Sequence, residues 1–264
     1  MSRVRPPAVA GLFYPQDADE LRRMVTGFID ACQRPGPARH PKALIVPHAG
    51  YPYSGSVAGS AYRLLRDSHA HIHHVVLLGP SHRVPLRGLA VPSAESFATP
   101  LGEIPLDTVN RQHLRELGLI GISDVPHAAE HSLEVQLPFL QVVLDEFDIL
   151  PIALGLSPPD QVARALEGAW NGSDTLIVVS SDLSHYHTSE EARQLDAAAT
   201  HAILERRSDL PDEQACGARA INGLMQVARR RGLTVEVLDQ RNSGDTAGDR
   251  SRVVGYGSYA VYEP

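Results

Sequence analysis

Three times in this chain a short apolar run leads directly into a turn that carries histidine. The stretches are Ala43-Leu44-Ile45-Val46-Pro47-His48-Ala49-Gly50-Tyr51, Val75-Val76-Leu77-Leu78-Gly79-Pro80-Ser81-His82 and Leu176-Ile177-Val178-Val179-Ser180-Ser181-Asp182-Leu183-Ser184-His185. Short aliphatic runs without polar alternation suit strands buried on both faces, as in parallel sheets covered by helices. If the three runs belong to one mostly parallel sheet, all three turns leave at its carboxyl edge, where open α/β sheets hold ligands. His48, His82, Asp182 and His185 then share one pocket although they lie far apart in sequence. Imidazoles with a carboxylate make a metal or acid–base site.

The rest of the chain alternates in the manner of an α/β protein. Helices are predicted over 17–34 (capped by Asp17, with Leu21, Met24, Val25, Phe28 and Ile29 as its stripe), 54–66, 108–117, 132–144, 159–169, 189–207 and 215–231. Further strands are predicted over 87–92, 97–106, 147–154, 234–238 and 253–262. Segments 34–41 and 240–251 read as loops, and no compositional break divides the 264 residues. The expectation is a single domain over 1–264, α/β in class, with a mostly parallel central sheet flanked by helices.

A net charge of −7 without a basic stripe argues against nucleic acid, whose phosphates need clustered Lys and Arg. No apolar stretch approaches the ~20 residues of a membrane helix, and Pro6, Pro7 and Pro15 interrupt any signal-peptide pattern. Two cysteines cannot build a disulfide framework, so reduced thiols and a cytoplasmic location are expected.

Several residues carry candidate chemistry. His48 and His82 each follow a strand, and each is open to two readings, a metal ligand or a cap on neighbouring backbone. Tyr51, in the same turn as His48, is a further candidate for the pocket. Asp182 and His185 share a face if their turn is helical, and a carboxylate beside an imidazole raises its basicity. Ser180, Ser181 and Ser184 lack the G-x-S-x-G elbow of a serine hydrolase. Glu130 and Glu134 suit the start of a helix through its dipole, which is explanation enough for Glu134, while Glu130 and His131 join Tyr51 as possible pocket residues. Cys216, at a predicted helix start, is either an acidic thiol or an ordinary buried cysteine; Cys32 reads as structural. His69, His71, His73 and His74 precede the second strand, roughly 15–20 Å from His82 at ~3.3 Å per residue, and read as surface-loop residues. Gly255-Tyr256-Gly257-Ser258-Tyr259-Ala260 matches a dinucleotide fingerprint by letter, but no helix follows it.

Taken together, Pro47-His48-Ala49-Gly50-Tyr51, Gly79-Pro80-Ser81-His82, Glu130-His131-Ser132-Leu133-Glu134, Ser180-Ser181-Asp182-Leu183-Ser184-His185 and Cys216-Gly217 resemble the Memo family. The opening Pro7-Ala8-Val9-Ala10-Gly11-Leu12-Phe13-Tyr14-Pro15 resembles the family's N-terminus. The family's eukaryotic namesake is a mediator of ErbB2-driven cell motility, and its prokaryotic members are labelled AmmeMemoRadiSam system protein B. The resemblance implies the fold of class III extradiol dioxygenases, non-haem iron enzymes that open catechol rings. It also implies His48, His82 and Cys216 as metal ligands, with the thiol standing where those dioxygenases have a carboxylate. Asp182 and His185 match further pocket residues, with His185 as the acid–base group.

A thiolate in the set favours softer ions, so copper or zinc stand beside iron, the first expectation. The functions implied are a metal-dependent redox enzyme acting on a small molecule, a module binding a peptide or partner protein such as a radical-SAM enzyme, and, more weakly, a zinc-dependent hydrolase.

Overall fold

The apolar runs do become strands. The computed structural model describes residues 3–32, 40–66, 71–170, 172–246 and 248–264. Its strands are β1 (Val4–Arg5), β2 (Ala43–Val46), β3 (His74–Pro80), β4 (Leu89–Val91), β5 (Ser96–Thr99), β6 (Gly102–Pro105), β7 (Gly121–Ile122), β8 (Asp148–Leu154), β9 (Thr175–Ser180), β10 (His185–His187), β11 (Thr234–Asn242) and β12 (Val253–Tyr262). The helices are α1 (Ala18–Asp30), α2 (Tyr51–Tyr62), α3 (Thr108–Glu116), α4 (Val125–Ala128), α5 (Leu137–Val143), α6 (Pro159–Gly168), α7 (Ser189–Leu204), α8 (Ala218–Arg231) and α9 (Ser243–Thr246).

The main sheet runs β10-β12-β2-β9-β3-β8-β4-β7, with β11 also paired to β12. Its centre, β2-β9-β3-β8, is parallel throughout. Antiparallel β12 joins one side and antiparallel β4 the other. Every residue of β2 and β9 is buried, as strands covered on both faces must be. Successive residues alternate between two apolar layers. Ile45, Val76, Ile177 and Val179 pack with Val162 and Leu166 of α6 and Ile221 and Leu224 of α8. Leu44, Val46, Leu77 and Val178 pack with Leu21 and Val25 of α1, Tyr62 of α2 and Phe139 of α5. A smaller sheet, β1-β5-β6, lies apart from the main one.

Local chemistry sets the element ends. Asp17 caps α1 by accepting from Glu20 N at 2.8 Å. Gly232, at φ +68°, closes α8 behind Arg229, Arg230 and Arg231, whose charges suit the carbonyl end. At Gly59 a Cβ would stand 2.6 Å from the Phe28 carbonyl oxygen, so only glycine lets α2 lie this close to α1.

Four predicted boundaries move for identifiable reasons. The helix expected from Ser54 starts at Tyr51, because Pro52 in its first turn needs no N–H partner. The helix expected over 132–144 is split into a 3₁₀ turn at Glu134–Gln136 and α5, with Pro138 opening the second piece. β11 continues past Leu238 to Asn242, beyond a register shift between Val237 and Asp239 that breaks the alternation. The first helix ends at Asp30; Arg34 and His69 lie outside the described residues. The glycine-rich 255–257 stretch lies inside β12, as its lack of a following helix required. Among the described residues no helix is long and apolar enough to cross a membrane.

His127, in α4, is buried in the core. Its Nε2 donates to Ala90 O at 3.0 Å, and burial pushes its pKa down to about 4. The unfolded chain takes up this proton below about pH 6.5 and the native chain does not. Stability is therefore expected to be complete above pH 6.5 and to fall as pH drops through 4, by up to about 3 kcal/mol from this group. Urea unfolding across that range should show a shallower loss in His127→Gln than in the parent chain; equal slopes would contradict the assignment.

Candidate functional site

Parallel order delivers the three turns to one edge. β2 ends at Val46 and β9 at Ser180, paired in register, and β3 ends beside them at Pro80. His48 and His82 therefore leave the ends of the two strands that flank β9, and their ring centroids stand 5.1 Å apart. His131 completes a group of three rings, 5.4 Å from His48 and 4.8 Å from His82. One ring nitrogen from each lies within 4.8 Å of the other two.

The hydrogen bonds behind the rings decide which nitrogens face inward. Ser180 donates its hydroxyl proton to Ser132 O at 2.6 Å and accepts from Gln136 Nε2 at 2.8 Å. Its oxygen can then only accept from His48 Nδ1, at 2.9 Å, so His48 Nδ1 carries the proton and Nε2 holds the lone pair. That Nε2 meets Cys216 Sγ at 3.2 Å. For His82 the orienting group is Glu130. Its carboxylate accepts from His82 Nδ1 at 3.0 Å and from the backbone N–H groups of His82 (2.6 Å), His131 (3.0 Å) and Ser132 (3.0 Å). Burial works against the Glu130 charge, but these hydrogen bonds and the nearby imidazole outweigh it and hold its pKa at about 2. His82 is left with Nε2 for a ligand. His131 Nδ1 lies 3.2 Å from Glu130 Oε1 but outside hydrogen-bond geometry, a buried nitrogen with no hydrogen-bond partner among the described residues.

Charge states suit metal binding. Burial, helped by the neighbouring imidazoles, pushes the His48 pKa well below its ordinary value, and burial brings His131 down to about 4. These rings are neutral at pH 7, the form that ligates. Burial and the nearby Asp182 push the Cys216 thiol up, so without a cation it keeps its proton and donates it to His48 Nε2. Cys216 precedes α8 by two residues, so the helix it was expected to open begins at Ala218 behind the Gly217 cap.

Asp182 and His185 both reach the cavity but not each other's side. The turn between them is not helical, and His185 opens β10. The Asp182 carboxylate accepts from His48 N at 2.7 Å and tethers the first turn to the third, while burial lifts its pKa to about 7. His185 lines the cavity with its pKa lowered by burial. The cavity there is open to solvent and about 790 Å³ in volume, lined by His48, His82, His131 and Cys216 together with Phe13 and Tyr186. Tyr51 does not belong to it. As the first residue of α2 it turns into the core, where its hydroxyl donates to Val135 O at 2.7 Å and its ring meets Phe139 at 5.1 Å.

Sequence reasoning also missed two supports. Ser180 and Gln136 orient His48, and nothing in their local pattern announces it. Glu134, which the helix dipole seemed to explain, is instead a buried anchor for the N-terminal segment. It pairs with Arg5 and accepts from Ala8 N (2.8 Å), Val9 N (3.0 Å) and the Tyr14 hydroxyl (2.6 Å). That anchor brings Phe13 against His131, with centroids 4.6 Å apart.

Replacing Glu130 by Gln removes the charge that fixes His82 while keeping its volume. Were His82 to ligate a metal, its affinity would be expected to fall by about 10–100-fold, the usual effect of losing an outer partner of a ligating histidine. Competition with a chromophoric chelator measures this, and an unchanged affinity would contradict the orienting role.

The family model described as "Memo-like protein" matches residues 5–260. A "MEMO1 family protein" of Aquifex aeolicus is 38% identical, over 96% of this chain and 97% of its own. Those of Archaeoglobus fulgidus and Thermoplasma acidophilum are 34% and 37% identical, covering 96% and 98% of this chain and 97% and 99% of their own. Among solved structures, uncharacterized protein JW3007 from Escherichia coli K12 superposes with a TM-score of 0.48 at 14% identity, covering 83% of this chain and 99% of that one. With its match running from Arg5 to Ala260, the chain belongs to the Memo family.

Proposed function

We propose that the pocket at the carboxyl edge is a mononuclear metal centre of a redox enzyme acting on a small molecule. His48 and His82 are the principal ligands, Cys216 is the third donor, and His131 is a further imidazole within reach. The observation that carries this reading is the pair of oriented rings: Ser180 and Glu130 take up Nδ1 of His48 and His82 and leave each Nε2 for the cavity. The donor set suits iron or copper, with zinc the competing ion. Iron or copper held by these residues would supply one-electron chemistry to a molecule beside it; zinc would not.

The protein's own groups handle protons and water. His185, neutral because burial disfavours its charged form, is placed in the cavity wall to accept a proton from a bound molecule. Asp182 holds the His48 turn in place through the backbone. Phe13 covers one side of His131 and limits solvent there.

Protein purified without oxygen and assayed by inductively coupled plasma mass spectrometry is expected to carry about one iron or copper per chain. Zinc in that place would turn the reading toward hydrolysis. Metal-free protein that takes up none of the three would remove it.

A further inference from the structure

A second cluster of metal-ligating side chains lies at the opposite, amino edge of the sheet. β3 and β8 begin side by side there, with His74 and Asp148 in register. His74 Nδ1 donates to Asp148 Oδ1 at 2.8 Å. Asp107 joins them because its backbone N donates to Ile149 O at 2.8 Å, which lays the start of α3 against the start of β8. One donor atom from each of His74, Asp107 and Asp148 lies within 4.8 Å of the other two. His74 and Asp148 are half-buried and Asp107 is buried.

The charges there are poorly balanced. Among the described residues neither Asp107 nor Asp148 has a Lys or Arg in ion-pair contact; the partner of Asp148 is His74, and those of Asp107 are the backbone and side-chain amides of Asn110. Burial and the Asp107 charge both push the Asp148 carboxyl up, and Asp174 adds to the negative field. Arg22 and His73 line the same opening, but His73 is held by Glu146 O at 3.2 Å. The opening is a cavity of about 640 Å³ that reaches His74 and Asp148 from solvent.

We propose that His74, Asp107 and Asp148 form a binding site for a divalent cation of the zinc class, separate from the pocket at the carboxyl edge. One imidazole and two carboxylates are ordinary ligands for such an ion at ~2.0–2.2 Å, and solvent in the cavity completes its shell. The ion takes the place of the proton shared by His74 and Asp148. A neutral imidazole with two carboxylates carries a charge of −2, which a divalent ion cancels. Two of the three ligands sit on the first residues of paired central strands, so small side-chain adjustments suffice to close the set.

The test removes the other site first. Chain carrying His48→Ala and His82→Ala is titrated with zinc chloride by calorimetry, and its thermal melting is followed with and without zinc. The expected result is uptake of about one zinc with a raised melting temperature. Adding Asp148→Asn, or separately His74→Gln, should weaken that uptake by at least about tenfold and abolish the shift, since each removes a ligand. Asp148→Asn also relieves the repulsion with Asp107, so the variant is expected to fold, and far-ultraviolet circular dichroism verifies this. No zinc uptake by the parent double variant would overturn the proposal, as would uptake unchanged by both further substitutions.

Discussion

Chain carrying His48→Ala together with His82→Ala is expected to lose its metal from the carboxyl-edge pocket outright. Each substitution deletes a donor whose orientation the fold has already fixed through Ser180 or Glu130. Losing an outer partner of a ligating histidine costs ~10–100-fold in affinity, and losing two ligands themselves costs much more. The remaining Cys216 thiol loses its imidazole partner at 3.2 Å, keeps its contacts with the Asp182 backbone and stays protonated in its buried position. Elemental analysis of parent and variant protein prepared side by side reads the difference. Metal at the parent's level in the variant, when zinc at the His74 cluster is excluded by assaying iron and copper, would contradict the ligand assignment.

The second large effect concerns the N-terminal anchor. Arg5→Ala is expected to destabilise the fold by about 3–5 kcal/mol, the usual cost of stripping one partner from a buried ion pair. Arg5 also donates from Nε and Nη2 to His127 O at 3.0 and 2.9 Å and from Nη2 to Glu130 O at 2.7 Å. Its loss therefore loosens both the Glu134 anchor and the segment that carries Glu130 and His131. Urea denaturation measures the change. The companion Arg5→Ala, Glu134→Leu variant should recover part of it, because no buried carboxylate is left without a partner. A single variant as stable as the parent would show that the anchor carries no weight.

What could be read from the chain beforehand divides along physical lines. The three turns were legible because parallel strands must end on one edge, so a short apolar run followed by His48 or His82 sets the side of the sheet as well as the residue. The closing strand Val253–Tyr262 was legible from its own run of Val, Tyr and Ala, although it joins the sheet antiparallel. Glu130 was named, but not its role, which depends on a backbone turn that folds His82 N and Ser132 N onto one carboxylate. Tyr51 was misplaced because the helix begins at that residue, and a shift of a few positions in a helix start swings a side chain from cavity to core. Asp182 and His185 would have shared a face had their turn been helical, but it is not, and one reaches back to the first loop while the other opens β10. His74 was set aside as a loop residue. It opens β3, and only the pairing with β8 shows that its ring meets Asp148.

X-ray absorption at the edge of the bound metal tests most directly whether remote turns grip one ion. The spectrum of loaded protein should show imidazole ring scattering from at least two nitrogens at ~2.0–2.1 Å and one sulfur at ~2.3 Å that disappears in Cys216→Ser. A shell of oxygens alone, with no ring scattering, would contradict the shared grip of residues 48 and 82 on which the functional reading stands.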